Sequence, residues 1–178
     1  MLATQIEQEV LGEMVANTGE SLHDISHQQP VMLVFLRHFG CTFCREALSD
    51  ISNRRADIES GGVRIVFVHM ASEDIANKYF EKYNLSGAVH ISDPTCRFYS
   101  QFGLVKGNFT QLFGLKTWIR GFQAGMLDGH GIGAQLGDGF QMPGIFIIQD
   151  GKLVESFIHK LASDRPDYVK LSECCTMS

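Results

Sequence analysis

The sequence predicts an α/β protein with a central mixed sheet flanked by helices. Two runs, VMLVFL at 31–36 and VRIVFVHM at 63–70, are almost continuously apolar, as strands covered on both faces are. Each is followed by a stretch whose apolar residues recur at three- to four-residue multiples, the helical pattern. The segment GIFIIQDGKLVESFIH at 144–159 reads as two strands joined at Asp150-Gly151, a strong hairpin signal.

The 178 residues are 44% hydrophobic and 20% charged, the balance of one globular domain with ample chain to bury a core. The formal net charge is -5 and the basic residues are scattered, which argues against a nucleic-acid surface. The start, MLATQIEQEV, lacks the basic head and apolar run of a secretory signal. The longest apolar runs are too short to span a bilayer, so a cytoplasmic address and no membrane partner are expected. Five cysteines, at 41, 44, 96, 174 and 175, are an odd count and a poor disulfide framework. In a reducing compartment such residues are buried thiols, metal ligands or redox groups.

Residues 4–16 have helical character, with Ile6, Val10, Leu11 and Met14 near one face, and 17–30 are polar and turn-rich. After the first strand, Phe43, Ala47, Leu48, Ile51 and Ile58 mark a long helix that Gly61-Gly62 ends. After the second strand, Ser72 is a helix cap, with Glu73 and Asp74 at the helix's positive end. Ile75, Tyr79, Phe80 and Tyr83 form the buried face of that helix. Strand, helix, strand, helix implies parallel strands with helical crossovers. A short strand, AVHIS at 88–92, runs into DPTCRFYSQFGL. Residues 111–126 read as an inserted helix, whose Phe113, Trp118 and Phe122 suit a core or a homodimer interface. The glycine-rich 129–139 stretch reads as a loop; it lacks the strand and helix of a nucleotide fingerprint. A last helix is expected after Ser163-Asp164, with Pro166 in its first turn.

The chemistry lies in RHFGCTFCREAL at 37–48. Helical geometry after Cys41 puts Cys41 and Cys44 on one face, close enough to bridge. Free N–H groups and the helix dipole favour thiolate there, and such positions can lower a cysteine pKa from about 8.5 to roughly 3.5–7.5. Arg37 and Arg45 add positive charge, and His38 could carry protons. Two other readings stay open: a structural zinc site, for which one CxxC supplies only two of four ligands, and a pair of inert buried thiols. Cys96 reads as a core thiol, and Cys174-Cys175 as incidental exposed thiols of a tail.

Met142-Pro143 stands immediately before the strand GIFII, where a proline is tolerated. The order β-α-β-α, X-Pro-strand, hairpin strand, helix is that of the thioredoxin fold. The thioredoxin fold carries a cis-proline loop facing its CxxC, so the likeness implies a cis Met142–Pro143 bond beside the cysteine pair, with a helical and glycine-rich insertion before that strand.

LVFLRHFGCTFCREAL, SDPTCRFYSQFGL, the GHGIG to QMPGIFII segment and ASDRPDY together resemble the peroxiredoxin-like branch of the thioredoxin superfamily. These are AhpC/TSA-type antioxidant proteins, related to the peroxiredoxin-like 2 and selenoprotein L proteins. The resemblance covers roughly residues 18 to 170. It implies a thioredoxin-like domain over 18–173, a helical extension at 1–17 and a tail at 174–178. Matched onto this chain, the peroxiredoxin pattern Pro-x-x-x-Thr-x-x-Cys puts Arg37 in place of the proline and Cys41 in place of the threonine. Cys44 retains the cysteine. The arginine that peroxiredoxins place before a later strand falls at Pro143. The implied function is a thiol-dependent antioxidant or thiol-disulfide oxidoreductase. Its catalytic residues would be Cys41 and Cys44, supported by Arg37, Met142 and Pro143. A peroxide or protein disulfide would be the substrate and a thioredoxin- or glutathione-type thiol the reductant, with no bound cofactor or metal. Cys41, at the outer end of the motif, is the expected attacking group; the peroxiredoxin match alone would give that role to Cys44. The rival reading is a non-enzymatic binding module whose CxxC is structural or metal-binding.

Overall fold

A computed structural model describes residues 6–107, 139–160 and 164–175. The inserted helix expected at 111–126, with Trp118, and nearly all of the glycine-rich stretch lie outside them. Five strands, β1 (Val31–Phe35), β2 (Arg64–His69), β3 (Val89–Ser92), β4 (Gly144–Gln149) and β5 (Lys152–Ile158), form one sheet in the order β3-β2-β1-β4-β5. β1 pairs parallel with β2, and β2 parallel with β3. β4 runs antiparallel to both β1 and β5, so the sheet is mixed.

The unbroken apolar run of β1 has a direct cause: helices cover both faces of the sheet. Met32 and Val34 face one core layer, with Leu48, Ile51 and Ile58 of α3 (Thr42–Ser60) and Ala76 and Phe80 of α4 (Glu73–Lys82). Tyr168 of α6 (Tyr168–Glu173) joins that layer. Val31, Leu33 and Phe35 face the other. There they meet Val10 and Leu11 of α1 (Gln8–Glu13), Leu22 and Ile25 of α2 (Leu22–Gln28), and Phe98 and Tyr99 of α5 (Arg97–Gln101). All five β1 side chains are buried, alternating between the two layers with the period of a strand. Central β1, buried on both sides, is therefore a rigid base for whatever follows it.

The hairpin forms where the Asp-Gly pair indicates. Asp150 and Gly151 have φ of 52° and 69°, the positive values that a type I′ turn requires. Three expectations need correction. The polar 17–30 stretch contains α2, capped by Ser21, whose hydroxyl accepts from the Asp24 N–H at 3.1 Å. Pro166 lies ahead of the last helix, not in its first turn; Asp167 is the cap and accepts from the Lys170 N–H at 3.1 Å. No cis peptide bond occurs among the described residues, so Met142–Pro143 is trans. The trans isomer is the lower-energy form of an X–Pro bond. Nothing here forces the other: Gln141 is held by Arg37 from outside, and β4 begins one residue after the proline.

Cys175 is also corrected. It is buried in the α3 layer of the core, while Cys174 is exposed.

Candidate active site

The chain leaves β1 at Phe35 and enters α3 at Thr42, with Cys41 as the helix N-cap in an extended conformation. The connecting turn is pinned by backbone bonds: Leu36 N–H to Val68 carbonyl at 2.9 Å, and Cys41 N–H to His38 carbonyl at 2.9 Å. Arg45, on the first turns of α3, donates from Nε to the Phe39 carbonyl at 3.3 Å. Arg45 thus braces the turn rather than bonding to a cysteine sulfur.

Arg37 organises the site. It is a buried arginine, 6% exposed, and it reaches in two directions. Its Nε donates to the Gln141 carbonyl at 3.1 Å, and Nη2 donates to the Gly139 carbonyl. Its Nη1 lies 3.2 Å from Cys41 Sγ, and its own backbone N–H points at Cys44 Sγ at 3.2 Å. A buried guanidinium requires partners for its donors. Two of these are backbone carbonyls just before Pro143, and the third is a sulfur. The expectation that the Met142-Pro143 segment lies beside the cysteines therefore has a concrete form: Pro143 and Cys44 line one cavity.

All five cysteines are free thiols in this structure. Cys41 and Cys44 are 7% and 4% exposed, and their environments push them apart. A hydrogen bond from the Cys44 thiol, followed by the charge of Arg37, holds Cys41 at about 5, against the opposing effect of burial. The first-turn N–H of Cys44 adds a weaker contribution, short of a full capping bond. Burial pushes the Cys44 thiol well above its ordinary range, and its hydrogen bond to Cys41 adds to this. The arrangement is one thiolate and one protonated partner sharing a hydrogen bond, with a cation against the thiolate. His38, beside the motif, is kept neutral by burial.

Four further residues shape the site in roles that the sequence does not show. Gln141 is buried and donates from Nε2 to the Leu104 carbonyl at 2.9 Å, fixing the segment that Arg37 grips. Tyr99 is fully buried, and its hydroxyl donates to the carbonyls of Leu36 and Val68, where β1 and β2 end. Asp93 holds Tyr99 in place by accepting from the N–H groups of Arg97 at 3.0 Å and Phe98 at 2.8 Å at the start of α5. His69, under Phe39 (ring centroids 5.5 Å apart), shares a 2.9 Å hydrogen bond with His90. The motif SDP at 92–94 was visible in the sequence; the job of its aspartate was not.

With this geometry in view, the comparisons with known proteins are specific. The family model described as "AhpC/TSA family" matches residues 13–156. The chain belongs to the AhpC/TSA family. A chloroplastic thioredoxin-like protein of Arabidopsis thaliana is 26% identical over 86% of this chain, which spans 65% of that relative's length, just under two thirds. A prostamide/prostaglandin F synthase of Danio rerio is 26% identical over 99% of this chain and 86% of its own. Among solved structures, the peroxidoxin BcpB of Mycobacterium tuberculosis superposes with a TM-score of 0.62 at 13% identity. That match covers 92% of this chain and 89% of the other. A mutant of the peroxiredoxin 6 of Arenicola marina superposes with a TM-score of 0.61 at 17% identity, covering 92% and 70%. These structures show that the fold of this AhpC/TSA chain is that of peroxiredoxins and thioredoxin-like proteins. Family membership implies a redox function. No described helix is long and apolar enough to cross a membrane.

Proposed function

We propose that this chain is a thiol-disulfide oxidoreductase of the peroxiredoxin-like group, with Cys41 as the attacking thiolate and Cys44 as the resolving thiol. The observation that carries this is the double contact of Arg37, with its guanidinium on Cys41 Sγ and its backbone N–H on Cys44 Sγ. In the mechanism, the Cys41 thiolate attacks one sulfur of a protein disulfide, or one oxygen of a peroxide. The bond that breaks releases a thiolate, or an alkoxide or hydroxide that takes up a proton. Cys44 then loses its proton and attacks Cys41 Sγ, which forms the intramolecular disulfide and frees the second product. An external thiol of thioredoxin or glutathione type returns both cysteines to the reduced state. Met142 and Pro143 support the site by carrying the segment that Arg37 holds. The cytoplasmic address expected from the sequence remains part of this reading, although the Arabidopsis relative is named chloroplastic.

A second reading exchanges the two roles, as in the peroxiredoxin match. One observation favours it: the cavity beside the motif meets Cys44 and not Cys41. The electrostatics oppose it, because a thiol held protonated by burial is a poor nucleophile. The cavity, about 30 Å³, admits water or the oxygens of a small peroxide. A larger substrate such as a protein chain or a prostaglandin would need a surface outside that cavity; among the described residues Val105 and Phe140 are exposed next to the segment that Arg37 holds.

Turnover with hydrogen peroxide, an alkyl hydroperoxide and a protein disulfide, measured side by side, tests the proposal. Preference for the disulfide with an intramolecular Cys41–Cys44 bond as intermediate supports it. Stoichiometric zinc in the purified, unreduced protein with no turnover of any of the three would refute it.

A further inference from the structure

The resolving step has a difficulty that the cysteines alone do not solve. Cys44 is buried, and its thiol is strongly reluctant to ionise. While Cys41 is a thiolate it accepts the Cys44 hydrogen bond. Once Cys41 carries a sulfenic oxygen or a substrate sulfur, it no longer bears that negative charge. Cys44 must then surrender its proton to another base.

The cavity behind Cys44 supplies candidates. It is bounded by α3 on one side and by the loop before α6 on the other. Most of its polar groups are already engaged. Glu46 and Asp50 of α3 both pair with Arg165 from the facing loop, at 2.9 and 2.8 Å. Asp164 accepts from the Lys160 N–H at 2.8 Å. Burial keeps the Tyr168 hydroxyl protonated. Arg37 is a cation and cannot accept a proton. That leaves His159, at the end of β5. Its Nδ1 is buried and has no hydrogen-bond partner among the described residues. A buried, unpartnered ring nitrogen is costly unless something fills its bond. The cavity's volume of about 30 Å³ suffices for a bridging water.

We propose that His159 is the proton acceptor for Cys44 in the resolving step, acting through a water in the cavity that both residues line. The inference rests on the assignment of Cys44 as the resolving thiol. The Cys44 S–H proton passes to the water as the water's own proton passes to His159 Nδ1. The Cys44 thiolate attacks Cys41 Sγ, the S–S bond forms, and the bond from Cys41 to the substrate-derived group breaks. That group leaves with the electron pair as thiolate or hydroxide and is protonated from solvent or, through the same water, from the imidazolium. The substrate disulfide or peroxide is the oxidant, and the two cysteines are oxidised. Burial keeps the imidazole neutral beforehand; the Asp164 carboxylate beside it, and the ring's contacts with the Pro143 and Asp164 backbone, favour the charged form once made. The nearby Arg165 is spent on Glu46 and Asp50, so it opposes the imidazolium less than a free cation would.

The test uses the full chain with Cys96→Ser and Cys174→Ser as background, and an aromatic disulfide whose released thiolate absorbs visible light. A first release reports attack by Cys41, and a second reports resolution by Cys44. Acid-quenched samples analysed by peptide mass identify the Cys41–Cys44 bond. His159→Gln should leave the first phase within about twofold and slow the second about a hundredfold, the lower range for loss of a positioned base. In the parent protein the second phase should fall as pH drops through a value below 6.5, the ordinary histidine value, and level off above it. His159→Gln should lose that plateau. A second phase that rises steadily with pH past the ordinary thiol range in the parent overturns the proposal even if the variant folds poorly. So does an unchanged second phase in His159→Gln, or loss of the acid limb in His38→Gln instead. If the parent itself never forms the Cys41–Cys44 bond, the assignment of Cys44 fails and this inference with it; if the parent forms it and His159→Gln is silent, only this inference fails.

Discussion

Arg37 touches both sulfurs of the CxxC pair, Cys41 Sγ through Nη1 and Cys44 Sγ through its backbone N–H, each at 3.2 Å. The side-chain contact can be removed by mutation and the backbone contact cannot. A substitution at this position therefore separates the charge from the frame that holds it.

Arg37→Met should move the alkylation midpoint of Cys41 upward from about 5 toward the ordinary thiol range. A more basic thiolate is also a better nucleophile, with a Brønsted slope of about 0.4–0.5, so near pH 7 the two effects nearly cancel. The difference appears on the acid side. At about pH 5.5, alkylation by iodoacetamide should be roughly tenfold slower in the variant, and the alkaline plateau should be higher. An unmoved midpoint would remove Arg37 from the activation of Cys41.

Cys41→Ser should abolish turnover of disulfides, and Cys44→Ser should trap a mixed disulfide on Cys41. Peptide mass spectrometry reads both outcomes. With peroxide, the rate should lie below that of a full peroxiredoxin by about a hundredfold or more, because the positions of the activating threonine and arginine hold Cys41 and Pro143. A sulfenic acid accumulating on Cys44 in Cys41→Ser, with fast peroxide consumption, would return the attacking role to Cys44.

Tyr99→Phe removes the hydroxyl that donates to the Leu36 and Val68 carbonyls. Val68 retains the Leu36 N–H at 2.9 Å, so the loss falls on the Leu36 carbonyl, one residue before Arg37. The expected cost is about 1–3 kcal/mol in denaturant unfolding, that of a buried polar group losing its partner. A cost near zero would mean that water takes the place of the hydroxyl.

His69 gives the fold a pH dependence. Burial, then the neighbouring His90, lowers its pKa to about 3. The folded value is depressed, so the unfolded chain binds the proton first as pH falls below the ordinary histidine value. The stability is present in full above that value, and it drains away between roughly 6.5 and the folded value of about 3. The contribution is on the order of 5 kcal/mol at most. His90, also lowered by burial, acts in the same direction, with Glu73 opposing it. Denaturant unfolding at pH 7 and at pH 4.5 should show a larger loss in the parent than in His69→Leu. Equal losses would place the acid sensitivity elsewhere.

The fold was largely written in local pattern. The both-faced apolar runs at 31–36 and 63–70, the helical spacing after each, and Asp150-Gly151 determine strands, helices and hairpin, because these depend on neighbours a few residues apart. The CxxC at a strand-to-helix turn likewise marked the site, since helix geometry alone brings positions 41 and 44 together. α2 was hidden because its polar face outweighs the buried Leu22 and Ile25, whose partners lie on β4 and β1.

What the tertiary structure decided was everything that rests on contacts across the chain. Arg37 bonds to Gln141, 104 residues away, and Tyr99 bonds to Leu36, 63 residues away. No spacing rule reaches so far. Which sulfur is favoured as the thiolate depends on the same long-range contacts: Arg37, gripped by the Gln141 segment, meets Cys41 Sγ with its guanidinium, while burial raises the Cys44 thiol. The trans state of Met142–Pro143 and the placing of His159 against Cys44's cavity belong here too. A sequence specifies which side chains can carry charge; burial and distance, which only the folded chain fixes, determine which of them do.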